Sequence, residues 1–199
     1  MNEIYLSGTI KDIEPSHEID TISFSKAKLI TKRDNGQEDV INLRFKSFSN
    51  KYNNGDTIRI SGNVRSYSQK VGPDKNKVTI YVFTYFDDVD EQLSNNIVKI
   101  DGRICKLNDI RHNRSGKDNI HFIVANNLVS GEGSRRLNSY IPCIAWGTVA
   151  KQISELSVST RVMIDGELHS REHKKVYPDG TVEFRVAHEL LVKDLKVIE

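Results

Sequence analysis

Apolar and polar residues alternate in short runs along most of the chain, and a period of two places successive side chains on opposite faces of an extended strand. The runs fall at Ile4, Leu6 and Gly8; Ile41, Leu43 and Phe45; Ile58, Ile60 and Gly62; Val78, Ile80 and Val82; Val98, Ile100 and Gly102; Val162, Ile164 and Gly166; and Val182, Phe184 and Val186. Turn formers separate them, notably Asn35-Gly36, Asn54-Gly55, Pro73-Asp74, Ser115-Gly116, Gly131 to Gly133 and Pro178-Asp179-Gly180. This predicts an all-β protein. The period lengthens at Val149, Ile153 and Leu156, spaced i, i+4 and i+7 behind Thr148 as a cap, and at Phe48 and Tyr52 after Ser47. One short helix is therefore expected in each half, packed on the strands.

The halves repeat each other. NEIYLSGTI at Asn2 to Ile10 returns as NIVKIDGRI at Asn96 to Ile104, ISFSKAK at Ile22 to Lys28 resembles IHFIVAN at Ile120 to Asn126, and TIRISGNVRS at Thr57 to Ser66 resembles RVMIDGELHS at Arg161 to Ser170. Each half runs strand, glycine, long strand pair, helix, strand, glycine and final hairpin, and the polar run Asp87 to Asn96 joins them. Such a five-stranded unit suits a small closed barrel, because glycine lets a strand coil or bulge at a corner and closure removes exposed edges. Two tandem five-stranded barrels are expected, over residues 1–90 and 95–199.

Composition agrees with a folded chain: 199 residues, 37% hydrophobic and 28% charged, fit two domains of about 100 residues each. No run approaches the roughly 18 apolar residues of a membrane helix, and the N-terminus alternates instead of forming a signal sequence, so a cytoplasmic location is expected. Cys105 and Cys143 lack CxxC spacing and read as buried, reduced thiols. The histidines, His17, His112, His121, His169, His173 and His188, show no metal-ligand spacing and read as surface or loop residues. With no phosphate loop, nucleophile elbow or Cys-His pairing, the sequence predicts no catalytic residue, metal or cofactor.

A net charge of +2 is too small to announce a polyanionic partner, but its distribution is informative. Lys and Arg number 13 against 14 Asp and Glu from Met1 to Gln92, and 16 against 13 from Leu93 to Glu199. The second half places Arg111, Arg114 and Lys117 in one loop, Arg135 and Arg136 in the next, and Arg171, Lys174 and Lys175 in the last hairpin. The first half offers Lys32, Arg33, Arg44, Lys46, Lys70, Lys75 and Lys77.

The second half, Asn96 to about Val197, resembles bacterial and phage single-stranded DNA-binding proteins of the oligonucleotide-binding fold. The resemblance is carried, in the family's order, by NIVKIDGRI, NDIRHNRSGK, HFIVANN, YIPCIAWGTVAKQISEL, RVMIDGELHSRE and YPDGTVEFRVAHELLV. The first half resembles a diverged copy. The resemblance implies sequence-independent binding of single-stranded DNA in replication, recombination or repair, with two base-stacking positions carried onto Tyr140 and Trp146. These lie six residues apart and share strand parity, so one side of a sheet displays both, unless Trp146 belongs to the core. Where the family often has an aromatic seven residues past the strand-four glycine, this chain has His173 and, in the first half, Gln69; Tyr177 and Tyr67 are the nearest substitutes.

Phe45 either matches Trp146 or, as its alternation favours, fills the barrel at the place of Ala145. Of the rows Tyr81, Phe83, Tyr85 and Val78, Ile80, Val82, one fills the barrel and the other is left for a ligand or partner. The family's four barrels acting together imply a homodimer of this chain. Its acidic tail is absent after Lys196-Val197-Ile198-Glu199, so recruitment of replication or recombination proteins through such a tail is not expected. Two other readings stay open: an interaction module of a primosome-like or recombination complex, whose first barrel binds protein, and RNA binding by the same fold.

Overall fold

The computed structural model describes residues 1–72, 75–85, 95–113, 115–130, 135–177 and 179–198, apart from the side chains of residues 71, 75, 76, 129, 130, 135 and 136. The run from Asp87 to Asn96 therefore lies outside the described residues except for Asn95 and Asn96. In chain order the first half contains β1 (Asn2–Ile19), β2 (Ile22–Lys32), β3 (Glu38–Lys46), β4 (Thr57–Gly72) and β5 (Lys75–Thr84). The second contains β6 (Ile97–Leu107), the short β7 (Arg111–His112), β8 (Asp118–Ser130), β9 (Arg135–Trp146), the helix α1 (Gly147–Ser154), β10 (Arg161–Val176) and β11 (Val182–Val197).

The strands close on themselves twice. In the first half the order runs β2-β3-β5-β4-β1 and returns to β2; in the second it runs β6-β10-β11-β9-β8 and returns to β6. All neighbours are antiparallel except β3 with β5 and β9 with β11. The chain is thus all-β with the architecture of the oligonucleotide-binding fold. Inward-facing residues alternate as expected: Ile41, Leu43, Phe45, Ile80 and Val82 fill the first circuit, and Ile120, Phe122, Val124, Ile141, Cys143 and Ala145 the second. Of the two rows, Ile80 and Val82 of β5 face the barrel while Val78, earlier in the strand, is 49% exposed; Tyr81 and Phe83 of β5 and Tyr85 just after it face outward, and Phe83 is nonetheless covered, at 9% exposure.

In each circuit a glycine removes a side chain from a crowded corner. A Cβ on Gly8 would stand 2.3 Å from the Ile30 carbonyl oxygen, and one on Gly166 2.3 Å from that of Leu191. The constraint is close backbone approach across the corner.

Three expectations need correction. The helix of the second half begins at Gly147, with Thr148 exposed in its first turn and no side-chain cap; Ala150 and Ile153 are its fully buried residues. In the first half the turn is only a single 3-10 turn, Ser47–Ser49, in which Phe48 stays 77% exposed; Tyr52, beyond the turn, packs against the core as expected, but from an irregular segment and not from a helix. The middle piece of the repeat also shifts. Ile10 opposes Leu29, which opposes Ile41, while Ile104 opposes Val124, which opposes Ile141, so IHFIVAN corresponds to residues 25–31 and not to 22–28. An odd slip of this kind reverses the faces of a strand, and accordingly Phe122 is core while Phe24 is on the outer row. The same register places Phe45 on Ala145 and Lys46 on Trp146.

The circuits share a seam. β1 pairs antiparallel with β6 from Asn2 opposite Ile100 to Tyr5 opposite Ile97, making one 11-stranded sheet. Around it the hydrogen bonds are reciprocal: Asn2 exchanges two with the Val64 backbone (2.7 and 2.8 Å), and Asn96 two with that of Leu168 (2.9 and 2.8 Å).

Substituting alanine at Gly8 or Gly166 should force backbone movement and lower stability by roughly 1 to 3 kcal/mol or more. Urea unfolding midpoints test this, and midpoints equal to wild type would contradict the corner-packing account.

Candidate nucleic-acid interface

On β9 the outer row is Tyr140, Pro142, Ile144 and Trp146. Tyr140 is 50% exposed, and its backbone N–H donates to Ser66 Oγ of the first circuit at 2.7 Å, fixing the base of the ring at the seam. Trp146 is half-buried and stands outside the core that its neighbour Ala145 enters, with Lys117 Nζ 5.8 Å from its ring centroid. Both predicted rings therefore share one outer row, as their parity requires. Beside them Asp118 accepts from His112 at 2.5 Å and pairs with Lys151 at 3.4 Å, and Arg111 is exposed on the edge strand β7. Arg114, and the side chains of Arg135 and Arg136, lie outside the described residues, although the backbone of the last two begins β9.

The β10–β11 hairpin runs past the rim of the second circuit. Its outward face carries Arg171, His173 and Lys175, and its other face Lys174, cross-strand from Phe184. Tyr177 is held in place: its hydroxyl contacts the Glu183 carboxylate and accepts from Arg185 at 2.7 Å, while Lys175 Nζ sits 4.7 Å from the ring centroid. The Arg185 guanidinium, followed by the Tyr177 hydroxyl, holds the Glu183 carboxyl down at about 2. Phe184 is an aromatic that sequence reasoning placed only in a strand pattern. It is 74% exposed with Val176, Val182 and Val186, because the inner row of β11 has no barrel beneath it at this height.

In the first circuit the outward side chains form a layer of rings and cations. Arg44 on β3 lies over Tyr67 of β4 at 4.4 Å and over Tyr81 of β5 at 4.8 Å, measured to the ring centroids. Arg65 covers Phe83 at 4.1 Å, Phe83 meets Tyr85 edge-on at 5.4 Å, and His17 stacks on Phe24 at 4.8 Å. Lys46 reaches over the exposed Phe48 at 5.7 Å. Lys32 is exposed and faces Glu38 at 3.8 Å.

Arg33 is placed elsewhere. It forms a two-bonded ion pair with Asp39 (2.6 and 2.7 Å), a carboxylate with no solvent exposure, and also donates to the Ser170 carbonyl of the second circuit at 3.1 Å. Ser170 returns its N–H to Asp39 at 2.6 Å and accepts from the Val40 N–H at 2.9 Å, and His188 Nε2 donates to the Val40 carbonyl at 2.8 Å. Arg33 thus serves as a clamp between the circuits, its guanidinium engaged on both sides. Burial by itself raises the Asp39 carboxyl, but the Arg33 and Ser170 hydrogen bonds outweigh it and hold the group below the ordinary carboxylate range. His188 is likewise drawn into this seam and is buried, while His169 beside it is half-buried and pairs with Glu167 of its own strand at 2.9 Å. Cys105 departs the other way, exposed on the outer row after Ile104 turns inward, while Cys143 is buried; both are free.

Residues 95–197 match the Single-strand binding protein family. No curated protein matches the sequence. The wild-type single-stranded DNA binding protein from Thermus aquaticus superposes with a TM-score of 0.73 at 16% identity, covering 100% of this chain and 93% of that one. A deletion mutant of the Thermus aquaticus protein gives the same score and identity over 100% and 95%. At this identity the likeness concerns the fold. Among the described residues, no helix is long and apolar enough to cross a membrane.

Burial pushes both His188 and His169 below the usual histidine value, with the neighbouring Asp39 charge only partly opposing it. The unfolded chain then takes up these protons first, at about pH 6.5, so stability is full above that value and falls as pH drops below it. The urea midpoint should decline between about pH 7 and pH 5, and His188→Gln should flatten the decline in part. An equal slope in the variant would contradict the assignment to His188.

Proposed function

The chain belongs to the single-strand binding protein family, and from that we propose that it binds single-stranded DNA without regard to base sequence, on the outer face of the second circuit. The observation that carries this reading is the row on β9 where Tyr140 and Trp146 stand together outside the core, beside Lys117 and within the stretch that matches the family. Exposed rings stack on any base, at roughly 1 to 3 kcal/mol each, since every base has a π face. Arg111, Lys117, Arg171, Lys174 and Lys175, together with Arg114, Arg135 and Arg136, supply the cations that neutralise phosphates, each adding affinity by counterion release. The reading extends to two oligonucleotide-binding domains, residues 1–90 and 95–199, and to a homodimer that brings four barrels together. Its role is to hold transient single strands in the cytoplasm during replication, recombination or repair, with no chemistry of its own.

Trp146 is the one tryptophan, so its fluorescence should quench as oligothymidylate is titrated. Trp146→Ala and Tyr140→Ala should each weaken binding by roughly 1 to 3 kcal/mol, with RNA and duplex DNA of equal length as comparisons. Wild-type fluorescence that does not respond, with no detectable affinity, would overturn the reading.

The logarithm of affinity should also fall with that of salt concentration, with a slope of about 0.7 per neutralised phosphate. A titration series across salt concentrations measures this slope, and an affinity independent of salt would exclude phosphate contacts as its source.

A further inference from the structure

We propose that Asn35 is a site of spontaneous, succinimide-forming deamidation that weakens the clamp between the circuits, while Asn54, which is followed by the same residue, is protected by the fold. The chain holds two Asn-Gly pairs, Asn35-Gly36 and Asn54-Gly55. A glycine has no side chain to shield its own amide, and its free backbone lets that amide swing toward the preceding side chain. In the reaction the glycine nitrogen, having lost its proton, attacks Cγ of the asparagine. The N–Cγ bond forms, the Cγ–Nδ2 bond breaks, and the amide nitrogen leaves as ammonia. Water then opens the five-membered ring at either carbonyl, giving aspartate or an isoaspartate whose main chain runs through the side-chain methylene. No oxidant or reductant takes part.

All four residues are exposed, so exposure does not separate the two pairs. Hydrogen bonding does. In the turn between β2 and β3 the bonds to the reacting groups are local: the Gly36 N–H donates to the Arg33 carbonyl at 2.9 Å, and Asn35 Oδ1 accepts from the Gln37 N–H at 3.0 Å. Both can be exchanged for water while the strands stay paired up to Lys32 opposite Glu38. In the loop before β4 the same groups reach across to β1. The Gly55 N–H donates to the Ile10 carbonyl at 2.8 Å, and Asn54 Oδ1 accepts from the Ile13 N–H at 3.1 Å. Ile10 and Ile13 flank Asp12, whose φ of 54° lies in the register shift of β1 between Lys11 and Glu14. Bringing the Gly55 nitrogen onto Asn54 Cγ therefore requires the loop to leave β1, whereas at Asn35 opening of the turn alone is enough.

The reactive turn carries Arg33 on one side and Asp39 on the other. Across it the Arg33 N–H donates to the Gln37 carbonyl at 2.9 Å, and the Arg33 guanidinium donates to the Gln37 side chain at 3.0 Å. These bonds brace the guanidinium that neutralises Asp39 and reaches the Ser170 carbonyl of the second circuit. Isoaspartate at position 35 lengthens the main chain of the turn by one atom and sets a carboxylate two residues from Arg33. Arg33 is thereby drawn off its brace, and weakening its ion pair leaves Asp39 a poorly compensated buried charge.

The test incubates the full chain at mildly alkaline pH, in native buffer and in urea, and digests it with trypsin, which releases Asn35 in the peptide 34–44 and Asn54 in the peptide 52–59. Mass spectrometry follows the conversion of amide to acid, and fragment ions place it. In native buffer Asn35 should convert about 10-fold faster than Asn54 or more, because the second site opens only by breaking bonds to another strand. In urea the two rates should converge. Native rates that are equal or that favour Asn54 would overturn the proposal, and so would a native ratio that persists in urea, since the fold would not be its cause. The aged wild-type chain should also unfold at a lower urea concentration than fresh protein, whereas Asn35→Ser aged beside it should keep its midpoint. A chain converted at Asn35 with its midpoint unchanged would refute the effect on the clamp.

Discussion

The pairing of β1 with β6 is the contact on which the other features of this molecule depend. Two small circuits, each closed by its own ladder, could be joined in many ways, but a continuous run of backbone pairing from Asn2 to Tyr5 against Ile97 to Ile100 specifies one. Backbone pairing of this kind is costly to leave unmade once buried, and here it is flanked on both sides by buried asparagines whose amides close the ladder ends. The relation it sets up is nearly symmetric: Ser66 of β4 meets Ser139 and Tyr140 of β9, and Ser170 of β10 meets Asp39 and Val40 of β3. Each hairpin thereby leans on the opposite circuit.

That symmetry explains how polar groups are distributed. At one end of the seam the exchange is between hydroxyls and backbone, and Tyr140 is left free to project; at the other the serine faces a carboxylate, which in turn requires Arg33, and His188 lies under cover beside it. A buried carboxylate without Arg33 would be an uncompensated charge, so the arginine is bound to the seam by electrostatics and is unavailable to a phosphate. The outer faces of the circuits hold the other rings and cations, Tyr140 and Trp146 with Lys117 on one and Arg44 with Tyr67 and Tyr81 on the other, while Phe83 is covered by Arg65.

The two circuits present this chemistry on different strands. In the second, rings stand on β9 with cations on the loops and hairpin; in the first, the cations Arg44 and Lys46 stand on β3 with rings on β4 and β5.

Alternation along the chain determined, from sequence alone, which residues point inward in nearly every strand, and hence the all-β class, the paired halves and the shared row of Tyr140 and Trp146. Parity is a local property of an extended backbone, fixed residue by residue, and so it is legible without the fold. What parity leaves open is what covers each face. Val182, Phe184 and Val186 belong to an inner row by pattern, yet they are exposed because the hairpin outruns the barrel; Arg33 and His188 look like surface residues, yet the other circuit closes over them. The correspondence of β2 with β8 escaped by three residues because Ile22 and Phe24 match Ile120 and Phe122 letter for letter, although the strands' partners set Ser25 and Ala27 at those places, so likeness of residues admits more than one register. Cross-strand partners break that degeneracy, and they come from residues far apart in the chain, so only the tertiary structure decides them.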